Sequence, residues 1–291
     1  MKAGVRTPSY PDAPPERRVD VALEFANVGC RFAVAGRTTY PALEGVSFTV
    51  TRGEFCAVVG PTGGGKSTLL NLAAGLLRPS AGQVMAFGQP VDGINRSAAY
   101  LFQQDVLLPW KTALENVMLG LLLRRRPLGD AQAEAHRWLA RVGLAGFETR
   151  YPHQLSGGMR KRVALAQSLI VGPEILLMDE PFSALDVQTR ELMENDLLTI
   201  WQEERKTVVF VTHDLEEAIA LSDRVLVLSA GPGARVIGSH PVTLPRPRDV
   251  TEVRLHPAFV DVYRAIWQGL RGEVLRAYAT RTPGRAEAPR A

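Results

Sequence analysis

The sequence predicts an α/β fold on a mainly parallel sheet, with an antiparallel β subdomain and an inserted α-helical subdomain. Three observations predict it. A short, mostly apolar strand at Glu54–Val59 runs into a glycine-rich loop and then into the helix-spaced segment Lys66–Leu77, the order of a phosphate-binding α/β unit. From residue 156 to residue 228, short apolar runs alternate with helical segments, as in parallel strands joined by helices. Between these regions, about 104–155 changes to helical spacing.

The elements follow in order. Residues 1–19 hold Pro8, Pro11, Pro14 and Pro15 among charges and are expected to form a disordered tail. Val21–Phe32 alternates as a strand, Gly36–Thr39 reads as a turn, and Leu43–Val50 reads as a second strand; together they form the antiparallel subdomain. Pro79 and Gly82 close the unit begun by Lys66–Leu77. Thr112–Leu123 and Asp130–Val142 are expected helices; Asp130 is placed to cap the second, where Ala135, Trp138, Leu139 and Val142 share a face. The α/β alternation resumes with a helix at Ser156–Val171 capped by Ser156, a buried strand at Glu174–Met178, a helix at Val187–Glu204, a strand at Thr207–Val211, a helix at Leu215–Leu221 and a strand at Arg224–Leu228. A Pro/Arg-rich boundary at Pro241–Arg248 precedes a helix whose Leu255, Phe259, Val262, Ile266 and Leu270 line one face and pack on the chain's own domain. The expected division is a main domain over 20–245, with its helical subdomain at about 104–171, a C-terminal helical extension over 246–279, and a disordered end over 280–291.

Composition narrows the function classes. The 291 residues are 46% hydrophobic and 22% charged, enough for a sizeable core and against disorder of the whole chain. The net charge of +4 is too mild for a nucleic-acid footprint. Cys30 and Cys56 lie in apolar strand-like runs without metal-ligand spacing and read as free thiols. No stretch approaches the ~20 apolar residues that span a bilayer.

The strongest local signal is Gly60-Pro61-Thr62-Gly63-Gly64-Gly65-Lys66-Ser67, which fits the P-loop pattern after a strand and at the start of a helix. Glycines let the backbone wrap a phosphate chain with its N–H groups inward, and the helix N-terminus adds positive potential. Lys66 is suited to reach β- and γ-phosphates, Ser67 to hold Mg²⁺, and Thr68 to assist with phosphate. The fold is therefore expected to have a P-loop NTPase core. A second signal is the apolar strand Ile175–Met178 ending in Asp179 and Glu180. Asp179 can hold Mg²⁺ through water, and Glu180 can polarise an attacking water as general base. No Asn-Lys-x-Asp guanine-reading segment is present.

A third signal, Leu155-Ser156-Gly157-Gly158-Met159 at a helix start, resembles the signature motif of ATP-binding cassette (ABC) ATPases. Gln103 stands at the place of the Q-loop, Ser183-Ala184-Leu185-Asp186 at that of the D-loop, and His213 at that of the switch histidine. The resemblance covers roughly residues 20–275. It implies ATP and Mg²⁺ as ligands and two chains paired head to tail, each ATP lying between one P-loop and the partner's signature. Ser156, Gly157 and Gly158 would touch the γ-phosphate across that interface, with Asp186 beside them. Gln103 would sense Mg²⁺ and γ-phosphate, and His213 would contact the γ-phosphate and orient water. An aromatic ring stacks on adenine in this family; Phe32 occupies the expected place and Tyr40 is the competitor.

The segment from Leu107 through Trp110 and Asn116 to Val117, and Arg246-Pro247-Arg248 with His256-Pro257-Ala258-Phe259, look like importer ATPases of the nitrate, sulfonate, taurine and bicarbonate group. That resemblance implies a small anion as cargo, transmembrane permease subunits, a periplasmic substrate-binding protein acting indirectly, no nucleic acid, and a peripheral place on the cytoplasmic face of the membrane. Leu107, Leu108 and Trp110, if exposed, would suit the contact with the permease; the alternative is burial inside the helical subdomain. Thr62, Gly64 and Lys161 depart from the group, which commonly has Ser, Cys and Gln there. Two other readings stand beside this one. A soluble ABC ATPase of translation or DNA repair typically has a second cassette or a long coiled-coil insertion, and this chain has neither. A non-hydrolysing nucleotide-gated scaffold is opposed by the intact Lys66, Asp179, Glu180 and His213.

Overall fold

The computed structural model describes residues 20–34 and 38–281. The expected tails, apart from Thr280 and Arg281, and the Gly36 end of the expected turn lie outside the described residues.

Two sheets carry the fold. The first begins with the long strands β1 (Val21–Val34) and β2 (Thr38–Thr51), which pair antiparallel. Next come β3 (Phe55–Val59), α1 (Lys66–Ala73), β4 (Ala81–Ala86), β5 (Gln89–Pro90) and β6 (Ala98–Leu101). The helical insertion holds α2 (Ala113–Leu123), α3 (Leu128–Arg141) and, after a short 3-10 turn at Pro152–Gln154, α4 (Gly157–Leu169). The chain then runs through β7 (Ile175–Asp179), α5 (Val187–Glu204), β8 (Thr207–Val211), α6 (Leu215–Leu221), β9 (Arg224–Leu228), β10 (Val236–Pro241), α7 (Val250–Val253) and α8 (Pro257–Arg281).

The antiparallel sheet has the order β2-β1-β4-β5, and the larger sheet the order β10-β9-β3-β8-β7-β6. In the larger sheet β9, β3, β8, β7 and β6 run parallel, and only β10 is antiparallel. The larger sheet is covered on both faces, so its central strands are continuous apolar runs rather than alternating ones. Alternation survives in what each residue touches. Phe55, Ala57 and Val59 of β3 join the core shared with the helical insertion and α5, whereas Cys56 and Val58 join the core shared with β1, β2 and α1.

Several expected boundaries move for identifiable reasons. The helix α3 starts at Leu128 behind Pro127, so Asp130 lies in its first turn and caps nothing. Proline precedes the helix with no side-chain cap, and Ala131 N donates to Pro127 O at 3.0 Å. The expected buried face is present, with Ala135, Trp138, Leu139 and Val142 all in the core. The helix α1 ends at Ala73, just before Gly75 turns the chain at positive φ. Leu255 is not part of the C-terminal helical face. It is exposed in the turn between α7 and α8, because Pro257 opens a new helix at its first position. Phe259, Ile266 and Leu270 are buried as expected. The helix continues through Thr280 to Arg281. The strands β4, β5, β6 and β10 have no counterpart in the sequence reading.

Candidate active site

The P-loop, Gln103, the acid pair and His213 follow the carboxyl ends of β3, β6, β7 and β8, the usual ligand edge of an open parallel sheet. The loop Gly60–Gly65 links β3 to α1. Gly65 caps α1 at φ +78, and a side chain there would sit 2.6 Å from Leu43 Cδ2 and 3.0 Å from the Ala42 carbonyl oxygen, so only glycine fits. Within the loop, which runs through Pro61, Thr62, Gly63 and Gly64, Gly64 N donates to Pro61 O at 3.0 Å. Lys66 is buried, and its Nζ donates to Gly60 O at 2.9 Å and to Pro61 O at 3.2 Å. Burial pushes its pKa below the ordinary lysine value, and the nearby Glu180 and Asp179 oppose that shift. Ser67 and Thr68 follow in the first turn of α1.

The two acids at the end of β7 have different surroundings. Burial pushes the Asp179 carboxyl above its ordinary range, against hydrogen bonds from Ser67 and Tyr100; the Tyr100 hydroxyl donates at 3.2 Å. Glu180 has φ +43, a left-handed conformation that is costly for a residue other than glycine. Three bonds hold it there. Its N–H donates to Val211 O at 2.9 Å, and its carbonyl accepts from Ser183 N at 3.3 Å and Ser183 Oγ at 2.9 Å. The turned backbone sets Glu180 Oε2 3.1 Å from His213 Nδ1 and 3.5 Å from Gln103 Nε2. Gln103, Glu180 and His213, far apart in sequence, thus converge.

His213 is framed by locked neighbours. The Thr212 hydroxyl donates to the buried Glu217 and accepts from Asp214 N at 3.0 Å. Asp214 caps α6 by accepting from Glu216 N at 2.9 Å and Glu217 N at 3.2 Å. Burial pushes Glu217 above the usual carboxylate range, against the pull of the Thr212 hydroxyl.

Ser156, Gly157, Gly158 and Asp186 form a second cluster. Ser156 Oγ caps α4 by accepting from Met159 N at 3.2 Å, and Asp186 caps α5 by accepting from Thr189 N at 3.0 Å. Hydrogen bonds from Thr189 hold the Asp186 carboxyl below its ordinary value. The two helix starts approach closely because Gly158 has no side chain; a methyl there would sit 2.7 Å from Thr189 Cγ2. Ser156, Gly157 and Asp186 are exposed. This cluster offers a second helix N-terminus suited to an anion.

Phe32 and Tyr40 are register partners across β1 and β2, so their side chains share one face. Both are partly exposed. The Tyr40 hydroxyl and the Gly63 carbonyl both lie beside Gly231, which puts Tyr40 at the edge of the P-loop.

The sequence reading missed two features of the site. Tyr100 supports Asp179, and it had no local signal because the short strand β6 that carries it lacks clear alternation. A cavity of about 610 Å³ lies between Gly60–Thr62 and His213 on one side and Tyr263, Trp267 and Leu270 of α8 on the other. The C-terminal helix therefore walls one side of the site. Among the described residues, no group of three or more His, Cys, Asp or Glu side chains could hold a metal ion; Ser67 and Asp179 stand together at the P-loop. Hydroxyl and carboxylate oxygens suit a hard ion such as Mg²⁺.

Comparison with known proteins gives a consistent picture. The family profile described as ABC transporter matches residues 43–183. An ABC transporter ATP-binding protein of Methanocaldococcus jannaschii is 45% identical over 260 residues, 89% of this chain and 95% of that protein. The taurine import ATP-binding protein of Yersinia pestis is 48% identical over 193 residues, 66% of this chain and 76% of that protein. The bicarbonate transport ATP-binding protein of Synechococcus elongatus is 42% identical over 244 residues, 83% of this chain but 36% of that longer protein. A solved dimeric ATP-binding cassette in a post-hydrolysis state with ADP and Pi has a TM-score of 0.68 and 33% identity, covering 76% of this chain and 98% of that one.

Proposed function

Because this chain belongs to the ABC transporter family, as an ATP-binding subunit that hydrolyses ATP, we propose that it energises uptake of a small anion through separate permease subunits, by ATP-driven head-to-tail pairing of two copies. One observation carries the pairing. Gln103, Glu180 and His213 meet in one cluster, and Ser67 with Asp179 stands in the same P-loop site as Lys66. Ser156, Gly157, Gly158 and Asp186 form a separate exposed surface on the starts of α4 and α5. Each surface suits part of a nucleotide triphosphate. A second copy turned head to tail brings the two kinds of surface together, and the similar solved cassette is dimeric.

In this reading, Lys66 exchanges its own loop carbonyls for β- and γ-phosphate oxygens. Ser67, Asp179 and Gln103 would hold Mg²⁺, which when bound would neutralise phosphate charge. Glu180 takes the proton of the attacking water, while His213 orients that water and the γ-phosphate. Adenine stacks on the face shared by Phe32 and Tyr40, with Phe32 the main platform. Phe32→Ala should then raise the KM for ATP about tenfold, the size of a lost stacking contact, with Tyr40→Ala smaller. The reverse order in a steady-state titration would move the platform to Tyr40.

Cargo and partners rest on the relatives. Two of them are named for taurine import and bicarbonate transport, and both cargoes are small molecules that carry an anionic group. By likeness to these relatives the chain is a peripheral subunit on the cytoplasmic face, with a permease and, beyond it, a substrate-binding protein; among the described residues no helix is long and apolar enough to cross a membrane.

The docking loop is better defined than its sequence. The buried Asn116 accepts from Leu108 N at 2.8 Å and donates to the carbonyls of Leu108, Lys111 and Thr112. Leu107 and Leu108 are half-buried rather than exposed, because this staple draws the loop against the helical core. Trp110 is left 70% exposed on a fixed loop. A large exposed aromatic on a rigid support is the chemistry of an interface hot spot. Removing it should cut recovery of membrane subunits with this chain about tenfold and lower labelled taurine or bicarbonate uptake per ATP consumed. If Trp110→Ala leaves both recovery and uptake at wild-type levels, the docking role is lost. If deletion of the chain leaves uptake of small anions intact, the cargo reading is lost with it.

A further inference from the structure

One buried cation near the site has no part in the chemistry above. Lys161, in the second turn of α4, is 3% exposed. Its Nζ donates to Gln103 O at 2.6 Å and to Phe102 O at 3.3 Å, and lies 2.9 Å from Asp105 Oδ1. The preceding residue joins in. Arg160 Nε donates to Asp105 Oδ2 at 3.3 Å, and Arg160 also donates to Leu155 O at 2.8 Å. Two consecutive basic residues of the helix that opens with Ser156-Gly157-Gly158 therefore grip the stretch from Phe102 to Asp105 that contains Gln103.

The need for such a grip follows from topology. The strand β6 is the edge of the larger sheet, so the chain that leaves it at Phe102 has a strand on one side only. Backbone carbonyls there must find partners elsewhere. A buried ammonium has donors to satisfy and no acceptor of its own, and the two carbonyls that accept from Lys161 and the Asp105 carboxylate paired with it all lie on this segment. Bonds of this kind are charge-assisted and directional. The main chain of Gln103 is thus fixed to α4, while its side chain reaches toward Glu180.

We propose that Lys161 is a positioning residue that locks the Gln103 segment to the signature helix, so that the Mg²⁺-facing glutamine and the start of α4 move as one piece. The lock transmits the arrival of nucleotide at one surface of the chain to the other surface. This rests on the reading of Gln103 as a contact to Mg²⁺ and γ-phosphate.

The test uses the full-length chain and Mg·ATP. Lys161→Met removes the donors and keeps the volume. It should lower kcat about tenfold and raise the Mg²⁺ concentration for half-maximal turnover about fivefold, the scale of lost charge-assisted hydrogen bonds, with the KM for ATP within about twofold of wild type. Lys161→Arg should restore most of the loss. Lys161→Met combined with Gln103→Ala should be no worse than Gln103→Ala alone, because both act through one glutamine. A lower melting temperature with unchanged Mg²⁺ dependence, or effects of the two substitutions that multiply, would overturn the lock. Should Lys161→Met fail to fold, Asp105→Asn tests the same grip from its other end, with the same two outcomes. If Gln103→Ala itself leaves Mg²⁺ dependence untouched, the role of Gln103 fails separately. The lock is then judged by amide exchange over residues 102–106: faster exchange with slower turnover in Lys161→Met upholds it, and unchanged exchange overturns it.

Discussion

Replacing Glu180 with Gln should lower ATP turnover by roughly 10²–10⁴-fold, the contribution of a positioned general base, while leaving ATP binding intact. The substitution keeps the size and the hydrogen-bonding reach of the side chain, so contacts with His213 at 3.1 Å and Gln103 at 3.5 Å remain available. It does not touch the strained backbone, because the bonds to Val211 and Ser183 are made by main-chain atoms of residue 180. Only basicity is lost. The P-loop is unaltered, so Mg·ATP should still be held, and the unhydrolysed nucleotide should accumulate in a dimer visible by size-exclusion chromatography with light scattering. A variant that turns over ATP at the wild-type rate would take the general base away from Glu180. A variant that retains ATP yet stays monomeric would remove the shared site made from two copies and leave a nucleotide-gated scaffold as the better reading.

Replacing Arg248 with Met should destabilise the fold by about 3 kcal/mol or more, roughly 6–10 °C in Tm. The guanidinium is buried and makes no ion pair within 4 Å among the described residues, Asp223 acting on it only from farther away. It instead donates to the carbonyls of Ile219, Ala220 and Ser222 at the end of α6 and to those of Val242, Leu244 and Pro245 in the following chain. A cation at a helix C-terminus is favourably placed. Burial pushes its pKa down to about 10, which still leaves it charged at neutral pH. Methionine fills the volume but leaves the carbonyls without their donor, and a buried acceptor stripped of its partner costs about 1–3 kcal/mol. The loss should appear as a lower melting temperature. ATP affinity measured well below that temperature should change little, because Arg248 touches no residue of the nucleotide site. A Tm within about 2 °C of wild type would mean that water replaces the guanidinium freely.

The two variants separate two uses of charge in one chain. Glu180 is held in a strained position where it can act, and its removal should cost rate but not stability. Arg248 is held where it ties the C-terminal segment to α6, and its removal should cost stability but not rate. The C-terminal segment matters to both, because α8 walls the cavity beside Gly60 and His213.

Local chemistry was legible from the sequence. A glycine-rich turn after an apolar strand, two acids ending another strand, and Ser or Asp before helical segments state their own geometry, because each depends on neighbours within a few residues. Gly65, Ser156 and Asp186 all cap helices, and the helix Val187–Glu204 and the strands Thr207–Val211 and Arg224–Leu228 have the bounds expected of them. Weak edge strands were not legible. The strands β5 and β6 are two and four residues long and take their identity from the strand beside them, so Tyr100 under Asp179 had no local signal. For Leu107 and Leu108 exposure and burial stood equally open, and they are half-buried because Asn116, eight residues beyond Leu108, draws the loop inward. Lys161 stood out in the sequence only as a departure from the group pattern, because helical spacing alone does not reveal that the end of β6 lies against that turn. By itself the sequence determined which groups could bind phosphate, carry a proton or cap a helix, since those properties reside in residue type and short spacing. Only the tertiary structure decided which of them meet. The convergence of Gln103, Glu180 and His213, and the separation of all three from the Ser156–Asp186 surface, depend on strand order in the sheet, which long-range burial sets and no short window of sequence contains.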